Sequence, residues 1–272
     1  MSSKITGTNI LATIVAQKLK EVAARKNEIN ITQLEALPLF SKQALSLKAN
    51  LQKQNTTGII AEFKRMSPSK GIINDKASVK EVTAAYHKFG AAGISVLTDT
   101  EFFGGSLDDL SIAIQNDIPV LRKEFIIDEF QIIEAKAYGA SVILLIAACL
   151  TPKETALLAA TAKALGMEVL LEIHDETEIG HIGEEVDFVG VNNRSLKSFE
   201  VNIEHSLKLK NMLPKEKLSI AESGIYDLAT FQLLKKEGFD GFLMGEYFMK
   251  QANPAAAFEA FVRSIKTDNN AD

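Results

Sequence analysis

Residues 59–71 read IIAEFKRMSPSKG, an apolar run that passes into a loop rich in hydroxyl groups and cations. Within this run, Glu62 and Lys64 are two positions apart. Because side chains on a β-strand repeat with a period of two, these opposite charges project from the same face. On a central strand both charges would be desolvated unless they are paired. An apolar strand that carries such a pair, followed by Ser-Pro-Ser at 67–69, predicts the floor and rim of a functional site.

From residue 58 onward, short apolar runs alternate with amphipathic segments. The runs predicted to be strands are 58–63, 94–98, 119–122, 142–146, 168–173, 188–191, 218–221 and 241–244. The segments predicted to be helices are roughly 78–90, 106–116, 128–138, 152–165, 175–182, 203–212, 226–237 and 254–266. Pro152 and Pro254 suit a first helical turn, and Gly139, Gly166 and Gly238 suit helix ends shortly before the next apolar run.

Eight βα units of about 25 residues, with continuous rather than alternating apolar runs, are typical of buried parallel strands. An open, doubly wound sheet would also give this alternation. The first run, however, is not followed by the Gly-x-Gly-x-x-Gly pattern of nucleotide-binding sheets, and eight units match the closed (β/α)8 barrel. The sequence therefore predicts an α/β protein with a single TIM barrel.

The first 57 residues precede this rhythm and are predicted to be an N-terminal helical extension packed on the barrel. Residues 9–26 form an amphipathic pattern, with Ile10, Ile14, Leu19 and Val22 near helical spacing. The opposite face is predicted to hold the charged residues Lys18, Lys20, Glu21, Arg25 and Lys26. A second helical piece is expected within 41–54. The barrel would then span 58–266, and 267–272 would be a frayed tail.

Composition and charge exclude several classes of partner. Of 272 residues, 46% are hydrophobic and 24% are charged, and the net charge is -5. Nothing in this balance suggests nucleic acid or an anionic membrane as a partner, and no apolar run approaches the length of a membrane span. One cysteine, Cys149, excludes an intrachain disulfide framework and favours a reducing compartment. The start of the chain lacks a signal-peptide pattern, so a cytoplasmic location is expected.

The active site of such a barrel lies at the carboxyl ends of its strands. Several predicted strands of this chain end in charged residues, which brings three cations and three carboxylates to one mouth. The cations are Lys64, Lys123 and Arg194, and the carboxylates are Glu62, Glu172 and Glu222. Because unpaired buried charges are strongly disfavoured, the set as a whole points to chemistry more than any one member does.

Each member also has a purely structural interpretation. Glu62 and Lys64 could form a structural ion pair, and Glu172 could be a satisfied core carboxylate. Lys123 is adjacent to Arg122, and only one of the two can point into the barrel. Glu222 is as suited to holding a lysine or a substrate hydroxyl as to catalysis. The four histidines show no metal-ligand spacing, so they are interpreted as surface residues or as neighbours of the site, and Cys149 as a buried small residue.

Two glycine-containing turns are predicted to bind phosphate through their backbone. Ser223-Gly224 and Gly245-Glu246 follow the seventh and eighth predicted strands, where barrels of this kind bind phosphate. Glycine lets backbone N–H groups approach an anion, and a helix N-terminus adds partial positive charge. These turns predict a phosphate site, although a glycine there could serve a tight turn alone.

Together these motifs resemble the indole-3-glycerol phosphate synthase family of tryptophan biosynthesis. The stretch 60–71 resembles the family signature, and 10–26 resembles its N-terminal helix. Further matches, in chain order, are 98–106, 119–125, 171–174, 191–194, 221–225 and 243–246. Met66 departs from the pattern, which has a small residue or lysine there, but it does not occupy a catalytic position.

The resemblance implies ring closure of 1-(2-carboxyphenylamino)-1-deoxyribulose 5-phosphate to indole-3-glycerol phosphate, with loss of CO2 and water. It implies Lys123 as the general acid, Glu172 and Lys64 as the groups for later proton transfers, and Glu62 as the group that tunes the lysines. The remaining implied residues bind substrate: Ser67, Asn192 and Arg194 at the anthranilate end, Phe103 and Phe125 as apolar walls, Glu222, and Ser223, Gly224, Gly245 and Glu246 at the phosphate. No metal or organic cofactor is expected, and the chain is expected to be a monomer or a weak homodimer.

Two rival functions stay open at this point. Phosphoribosylanthranilate isomerase, another sugar-phosphate barrel, would use a Cys and Asp acid–base pair, whereas the first strand here ends in Glu62 and Lys64. A non-catalytic barrel that only binds phosphate esters would have no use for a full set of inward-pointing charges.

Overall fold

The computed structural model describes residues 7–54, 56–195 and 199–268. Its centre is a closed barrel of eight parallel strands, in which each strand pairs with the next and the last pairs with the first. In chain order the strands are β1 Ile59–Phe63, β2 Gly93–Leu97, β3 Val120–Lys123, β4 Val142–Ile146, β5 Glu168–Ile173, β6 Phe188–Asn192, β7 Leu218–Glu222 and β8 Gly241–Met244. Ile59 of β1 lies opposite Phe242 of β8, which closes the barrel. The (β/α)8 prediction is confirmed and the open-sheet alternative is wrong.

Helices precede the barrel and surround it. They are α1 Gly7–Glu28, α2 Ile31–Glu35, α3 Leu47–Leu51, α4 Val79–Lys88, α5 Leu107–Ala113, α6 Glu129–Ala137, α7 Pro152–Ala164, α8 Ile203–Lys210, α9 Leu228–Lys236, α10 Glu246–Met249 and α11 Pro254–Asp268. Short 3-10 helices cover Ala147–Cys149 and Glu176–His181, and a small antiparallel hairpin joins Met66–Ser67 to Gly71–Ile72.

The α-helix expected over 175–182 is instead the 3-10 helix Glu176–His181. Asp175 begins it by accepting a hydrogen bond from the backbone N–H of Thr177 at 2.9 Å. Gly180 and Gly183 then disfavour further helix, since glycine loses more backbone freedom on folding than any other residue. The helix expected within 41–54 is confirmed as α3, whereas α2 was not predicted.

The barrel strands are buried on both faces, which explains their continuous apolar runs. In β1, Ile59, Ala61 and Phe63 belong to the core between strands and helices. Ile60 belongs to a second core inside the barrel, together with Leu121 and Leu170. Because side chains alternate, Glu62 points to the barrel interior like Ile60, one layer higher. The strand period therefore carries Glu62 to the carboxyl-end mouth.

Helix α1 departs from the predicted amphipathic pattern at two positions, whereas Lys20 and Lys26 of the predicted polar face are exposed. Ile10, Ile14 and Val22 are buried as expected, but Lys18 is only 4% exposed and Leu19 is 60% exposed. The reason lies in the barrel surface beneath the helix, where Asp99 and Glu124 present carboxylates that pair with Lys18. A local amphipathic pattern cannot indicate that a helix will dock onto charges.

The C-terminal helix runs further than predicted. Val262 and Ile265 of α11 are buried in the main core, and Thr267 donates its hydroxyl to the carbonyl of Arg263 at 3.0 Å. Thr267 and Asp268 thus continue the helix where a frayed tail was expected, because the last apolar residues hold this turn against the barrel. Residues 269–272 of the expected tail lie outside the described residues. Within the described ranges, no helix has the length and hydrophobicity needed to cross a membrane.

Candidate active site

The odd-numbered strands supply one layer of charged side chains at the mouth of the barrel. TIM-barrel interiors are filled in layers of four side chains from alternate strands. Here Glu62 of β1, Lys123 of β3, Glu172 of β5 and Glu222 of β7 each stand two residues beyond an apolar interior residue on the same strand. The lower layer is filled by Ile60, Leu121, Leu170 and Ile220. Two residues further along these four strands, the apolar layer is thus followed by a layer of three carboxylates and one lysine.

Lys123 lies at the centre of this layer. Its Nζ is 3.1 Å from Oε2 of Glu222 and 3.7 Å from Oε2 of both Glu62 and Glu172. The neighbouring Arg122 points outward, where its guanidinium lies 2.9 Å from Glu134 and Nε donates to the Thr98 hydroxyl at 3.1 Å. Of the two adjacent cations, Lys123 is therefore the one in the mouth, as the prediction required.

Lys64 completes the charged set on the rim. Its Nζ is 2.7 Å from Oε1 of Glu62, so the pair read from the sequence is present. The other oxygen of Glu62 faces Lys123. Glu62 therefore bridges two lysines instead of forming an isolated structural ion pair.

The electrostatics separate the three carboxylates. Burial raises the pKa of Glu62, but the nearby Lys64 and Lys123 outweigh burial and hold it below its ordinary value. Against the same burial penalty, Lys123, His174 and Asn192 hold the pKa of Glu172 low. Burial raises the pKa of Glu222 to about 7, because the attraction of Lys123 is offset by repulsion from Glu172. Lys123 is half-buried, and desolvation lowers its pKa, yet its three carboxylates outweigh this and raise the pKa above the ordinary value.

This pattern favours one proton on the carboxylate layer. Two lysines and three ionised carboxylates sum to a charge of -1. A proton on Glu222 makes the five groups neutral, which suits a desolvated site. His174 does not change this balance, because it lies between Glu172 and a further carboxylate, Glu178. Glu222 is fully buried and does not line the cavity, and its Oε2 lies 3.1 Å from Nζ of Lys123. The structure thus places it against the lysine, which is one of the positions that the sequence left open.

Two polar side chains orient Glu172 from the side. Asn192, at the end of β6, donates from Nδ2 to Oε1 of Glu172 at 3.0 Å. Nε2 of His174 lies 3.2 Å from the same oxygen, and Nδ1 lies 3.6 Å from Oε2 of Glu178. Burial lowers the pKa of His174, but the two carboxylates outweigh it and raise the pKa to about 9. His174 thus belongs among the neighbours of the site.

An apolar wall faces the charges across the cavity. Phe103 and Phe125 stand with ring centroids 6.0 Å apart and planes tilted by 41°. Three residues of α1 also line the cavity, namely Ile10, Leu11 and Ile14. The sequence analysis did not assign these three to the site. Their signal was the apolar spacing at 10 and 14, which identifies a buried helix face but not what that face covers.

The residues that were predicted to bind the anthranilate end of the substrate also line this cavity. Ser67, Asn192 and Arg194 are among its lining residues. The Arg194 guanidinium donates to the hydroxyl of Tyr226 at 2.7 Å and lies 3.3 Å from Oε2 of Glu246. Tyr226 was missed by the sequence analysis, because a lone tyrosine after a turn carries no distinctive pattern.

Both turns that were predicted to bind phosphate line the cavity, and one of them has left-handed backbone. Ser223 and Gly224 both have positive φ, at 63° and 72°, and Gly245 immediately precedes α10. A Cβ on Gly245 would lie 2.7 Å from Oε1 of Glu62, so glycine there allows this backbone to approach the charged layer. Ser223, Gly224, Gly245 and Glu246 all line the same cavity as Lys123.

Cys149 does not have the environment of a nucleophile. It is half-buried in the 3-10 helix Ala147–Cys149. Burial, together with the charges of Glu172 and Glu178, raises its thiol pKa to about 12. The reactive thiolate is therefore disfavoured. Within the described ranges, no group of three or more His, Cys, Asp and Glu residues is arranged to hold a metal ion.

Comparison with solved structures shows the fold alone. The chain aligns with a structure described as "Native KDPGal structure" at a TM-score of 0.59 and 16% identity, over 80% of this chain and 99% of that one. It aligns with thiamine phosphate pyrophosphorylase from Pyrococcus furiosus at a TM-score of 0.57 and 15% identity, over 82% and 98%.

Comparison with sequences is more specific. The family model described as indole-3-glycerol phosphate synthase matches residues 11–261. A relative of that name from Bacteroides thetaiotaomicron is 43% identical over 259 residues, which cover 95% of this chain and 99% of the relative. Another from Acinetobacter baumannii is 40% identical over 263 residues, which cover 95% and 97%. The chain therefore belongs to the indole-3-glycerol phosphate synthase family.

Proposed function

We propose how the charged layer carries out the reaction of the family. As a member, the chain is an enzyme of tryptophan biosynthesis, a carboxy-lyase with indole-3-glycerol phosphate synthase activity. The observation that carries the proposal is the position of Lys123, a lysine held between three carboxylates at the floor of a cavity with an apolar wall. Such a cation is fixed before substrate arrives, so it needs little reorganisation to stabilise a developing oxyanion.

In the first step, the ring carbon that bears the carboxylate attacks the ketone of the ribulose chain. Lys123 gives its proton to the ketone oxygen as the new C–C bond forms. Glu222 and Glu62 keep the ammonium group aimed at that oxygen. Loss of CO2 then restores the aromatic ring.

In the second stage, a hydroxyl leaves as water and a C–H proton is lost from the carbon next to the nitrogen. Glu172 is the base for that proton, because the neighbouring Lys123 and His174 keep it ionised and the hydrogen bond from Asn192 fixes its direction. Lys64 gives a proton to the departing hydroxyl, and Glu62 holds the two lysines at a set distance. The family name gives the overall reaction, and this proposal assigns its individual proton transfers to residues.

Substrate orientation follows from the two ends of the cavity. Phe103 and Phe125 take the aromatic ring, with Ser67, Asn192 and Arg194 near its carboxylate. The left-handed backbone at Ser223 and Gly224, together with the N–H groups after Gly245, takes the phosphate.

Turnover of the substrate by the purified chain, followed by indole fluorescence, tests the proposal. Lys123→Ala and Glu172→Gln should each reduce kcat by about 10²–10⁴-fold with a much smaller change in KM, since each removes a proton transfer. Lys163→Ala is the control, because it removes a lysine that pairs with Asp187 at 2.7 Å, away from the cavity. Near-normal kcat in Lys123→Ala would remove it as the ring-closing acid. Turnover of phosphoribosylanthranilate instead would favour the rival isomerase.

The surroundings of the enzyme are also part of this proposal. One cysteine in 272 residues and a biosynthetic activity support a cytoplasmic location. A net charge of -5 supports the absence of a nucleic-acid partner. We expect a monomer or a weak homodimer, which sedimentation over a range of concentrations would distinguish.

A further inference from the structure

Lys18 of helix α1 lies in a buried cluster of charges outside the catalytic layer. Its Nζ is 2.9 Å from Oδ2 of Asp99 and 3.0 Å from Oε1 of Glu124, and it reaches Glu21 of its own helix at 2.6 Å. Lys18, Asp99 and Glu124 are 4%, 0% and 4% exposed. Asp99 follows β2 and Glu124 follows β3, so one side chain of the N-terminal extension connects two strand ends.

The two carboxylates also accept hydrogen bonds from backbone N–H groups next to or within the aromatic wall. The other oxygen of Asp99 accepts the backbone N–H of Phe102 at 2.7 Å, which fixes the loop that carries Phe103. Oε1 of Glu124, the atom that contacts Lys18, also accepts the backbone N–H of Phe125 at 2.8 Å. A single carboxylate therefore separates Lys18 from the backbone of Phe102, which precedes Phe103, and another separates it from the backbone of Phe125.

Stability alone does not account for this arrangement. Desolvating several charges costs free energy that their attraction only partly returns, so a buried ion cluster is weak evidence for stability. The same helix has a second ion pair, in which Nε of Arg25 lies 2.7 Å from Glu134, a residue that also pairs with Arg122. Arg25 and Glu134 tie α1 to α6 and reach Glu124 only indirectly, through Arg122 and Thr98. Asp99 and Glu124 instead bond directly to the backbone of Phe102 and Phe125.

We propose that Lys18 is a positioning residue that sets the Phe103–Phe125 wall through Asp99 and Glu124, and thereby sets affinity for the aryl end of the substrate. This inference rests on the proposed function only in assigning the wall to the aryl ring. Lys18 itself touches neither the ring nor the reacting atoms. Its effect should appear mainly at one end of the cavity, because the phosphate turns follow β7 and β8, whereas Asp99 and Glu124 follow β2 and β3.

The test is to compare Lys18→Met with Arg25→Met as a matched control on the same helix. Anthranilate and inorganic phosphate serve as separate probes of the two ends, with binding measured by calorimetry and as competitive inhibition. Lys18→Met should bind anthranilate about tenfold more weakly and raise KM by a similar factor, the usual cost of a misplaced apolar contact. Its affinity for phosphate and its kcat should stay close to those of the unaltered chain. Arg25→Met should change neither affinity, and Lys18→Arg should restore most of the anthranilate affinity.

If Lys18→Met does not fold, Lys18→Met/Asp99→Asn leaves one unpaired charge fewer and still removes the link between the helix and the wall. Equal losses of anthranilate and phosphate affinity, or unchanged anthranilate affinity, would overturn the inference. An unaltered chain that binds no anthranilate would also overturn it. A chain that binds anthranilate but does not turn over the substrate would overturn the proposed function, while the binding comparison would still decide the role of Lys18.

Discussion

At the scale of single residues, His174 shows how a side chain outside the charged layer offsets the negative charge of a carboxylate within it. Its ring lies between Glu172, which belongs to the charged layer, and Glu178, which lies in the 3-10 helix beyond it. Its backbone N–H donates to Glu178 at 2.6 Å, and its carbonyl faces Nε2 of His205 at 2.9 Å. An imidazolium in this place faces one carboxylate on each side, and their charges raise the pKa of His174.

His174→Gln should therefore lower stability in a pH-dependent way. The pKa of His174 is raised from 6.5 to about 9, so the folded state favours the protonated ring. Its contribution is fully present below about pH 6.5 and is lost as the pH rises through about 9. Urea unfolding of the unaltered chain and the variant should differ by roughly 2–3 kcal/mol near pH 6 and by much less near pH 10.

A suitable control is His87→Gln, which replaces an exposed histidine of α4. It should leave the free energy of unfolding nearly unchanged at both pH values. An equal loss in His174→Gln at both pH values would mean that the ring acts by packing and not by charge.

At the scale of elements, the strands were the most predictable part of the molecule. Buried parallel strands need apolar side chains on both faces, so each run stood out, and the period of two assigned Glu62 and Lys64 to one face. Lys18 was assigned wrongly, because its partners come from strand ends far along the chain. The α-helix expected over 175–182 was also wrong, because glycines limited it to the 3-10 helix Glu176–His181. Contacts that form only in the closed barrel cannot be predicted from the spacing of residues within one segment of the sequence.

Glu168 makes another contact that local sequence spacing does not indicate, at the opposite end of the barrel from the mouth. It begins β5, yet its carboxylate accepts the backbone N–H groups of Leu47 and Lys48 at 2.7 and 3.2 Å, which are the first residues of α3. Ser46, the capping residue, donates its hydroxyl to the same carboxylate at 2.5 Å. A negative charge at a helix N-terminus is favourable, so a barrel strand caps a helix of the extension.

Glu168→Gln should cost about 1 kcal/mol in the free energy of unfolding, since it keeps the shape but removes the charge from this cap. The activity should be unchanged within about twofold, because the amino ends of barrel strands serve stability and not catalysis. Urea unfolding and steady-state kinetics measure the two effects. The exposed Glu185→Gln is the control, and a large loss of kcat in Glu168→Gln alone would contradict this separation of the barrel ends.

At the scale of the whole molecule, the extension and the barrel share their hydrophobic cores. Leu47 and Leu51 of α3 belong to the same buried cluster as Ile60 and Leu170 inside the barrel. Val22 and Leu34 pack with Phe130 and Ala137 of α6. Lys18 and Arg25 also form ion pairs with residues of the barrel. If the barrel unfolded, the described part of the extension would have little left against which to bury its apolar surface. We therefore expect the extension and the barrel to unfold as one cooperative unit.

The absence of tryptophan makes this expectation simple to test, because one introduced tryptophan becomes the only such fluorophore in the chain. Phe40→Trp places it beside the cluster that joins the extension to α6, and Phe89→Trp places it at the end of α4 in the barrel. Both phenylalanines are half-buried, so their fluorescence should change on unfolding. In urea the two variants should give the same midpoint and the same slope as circular dichroism, since coincident transitions mark two-state unfolding. An earlier midpoint at Phe40→Trp alone, with circular dichroism following Phe89→Trp, would show that the extension detaches first and that its contacts with the barrel are worth less than the shared cores imply.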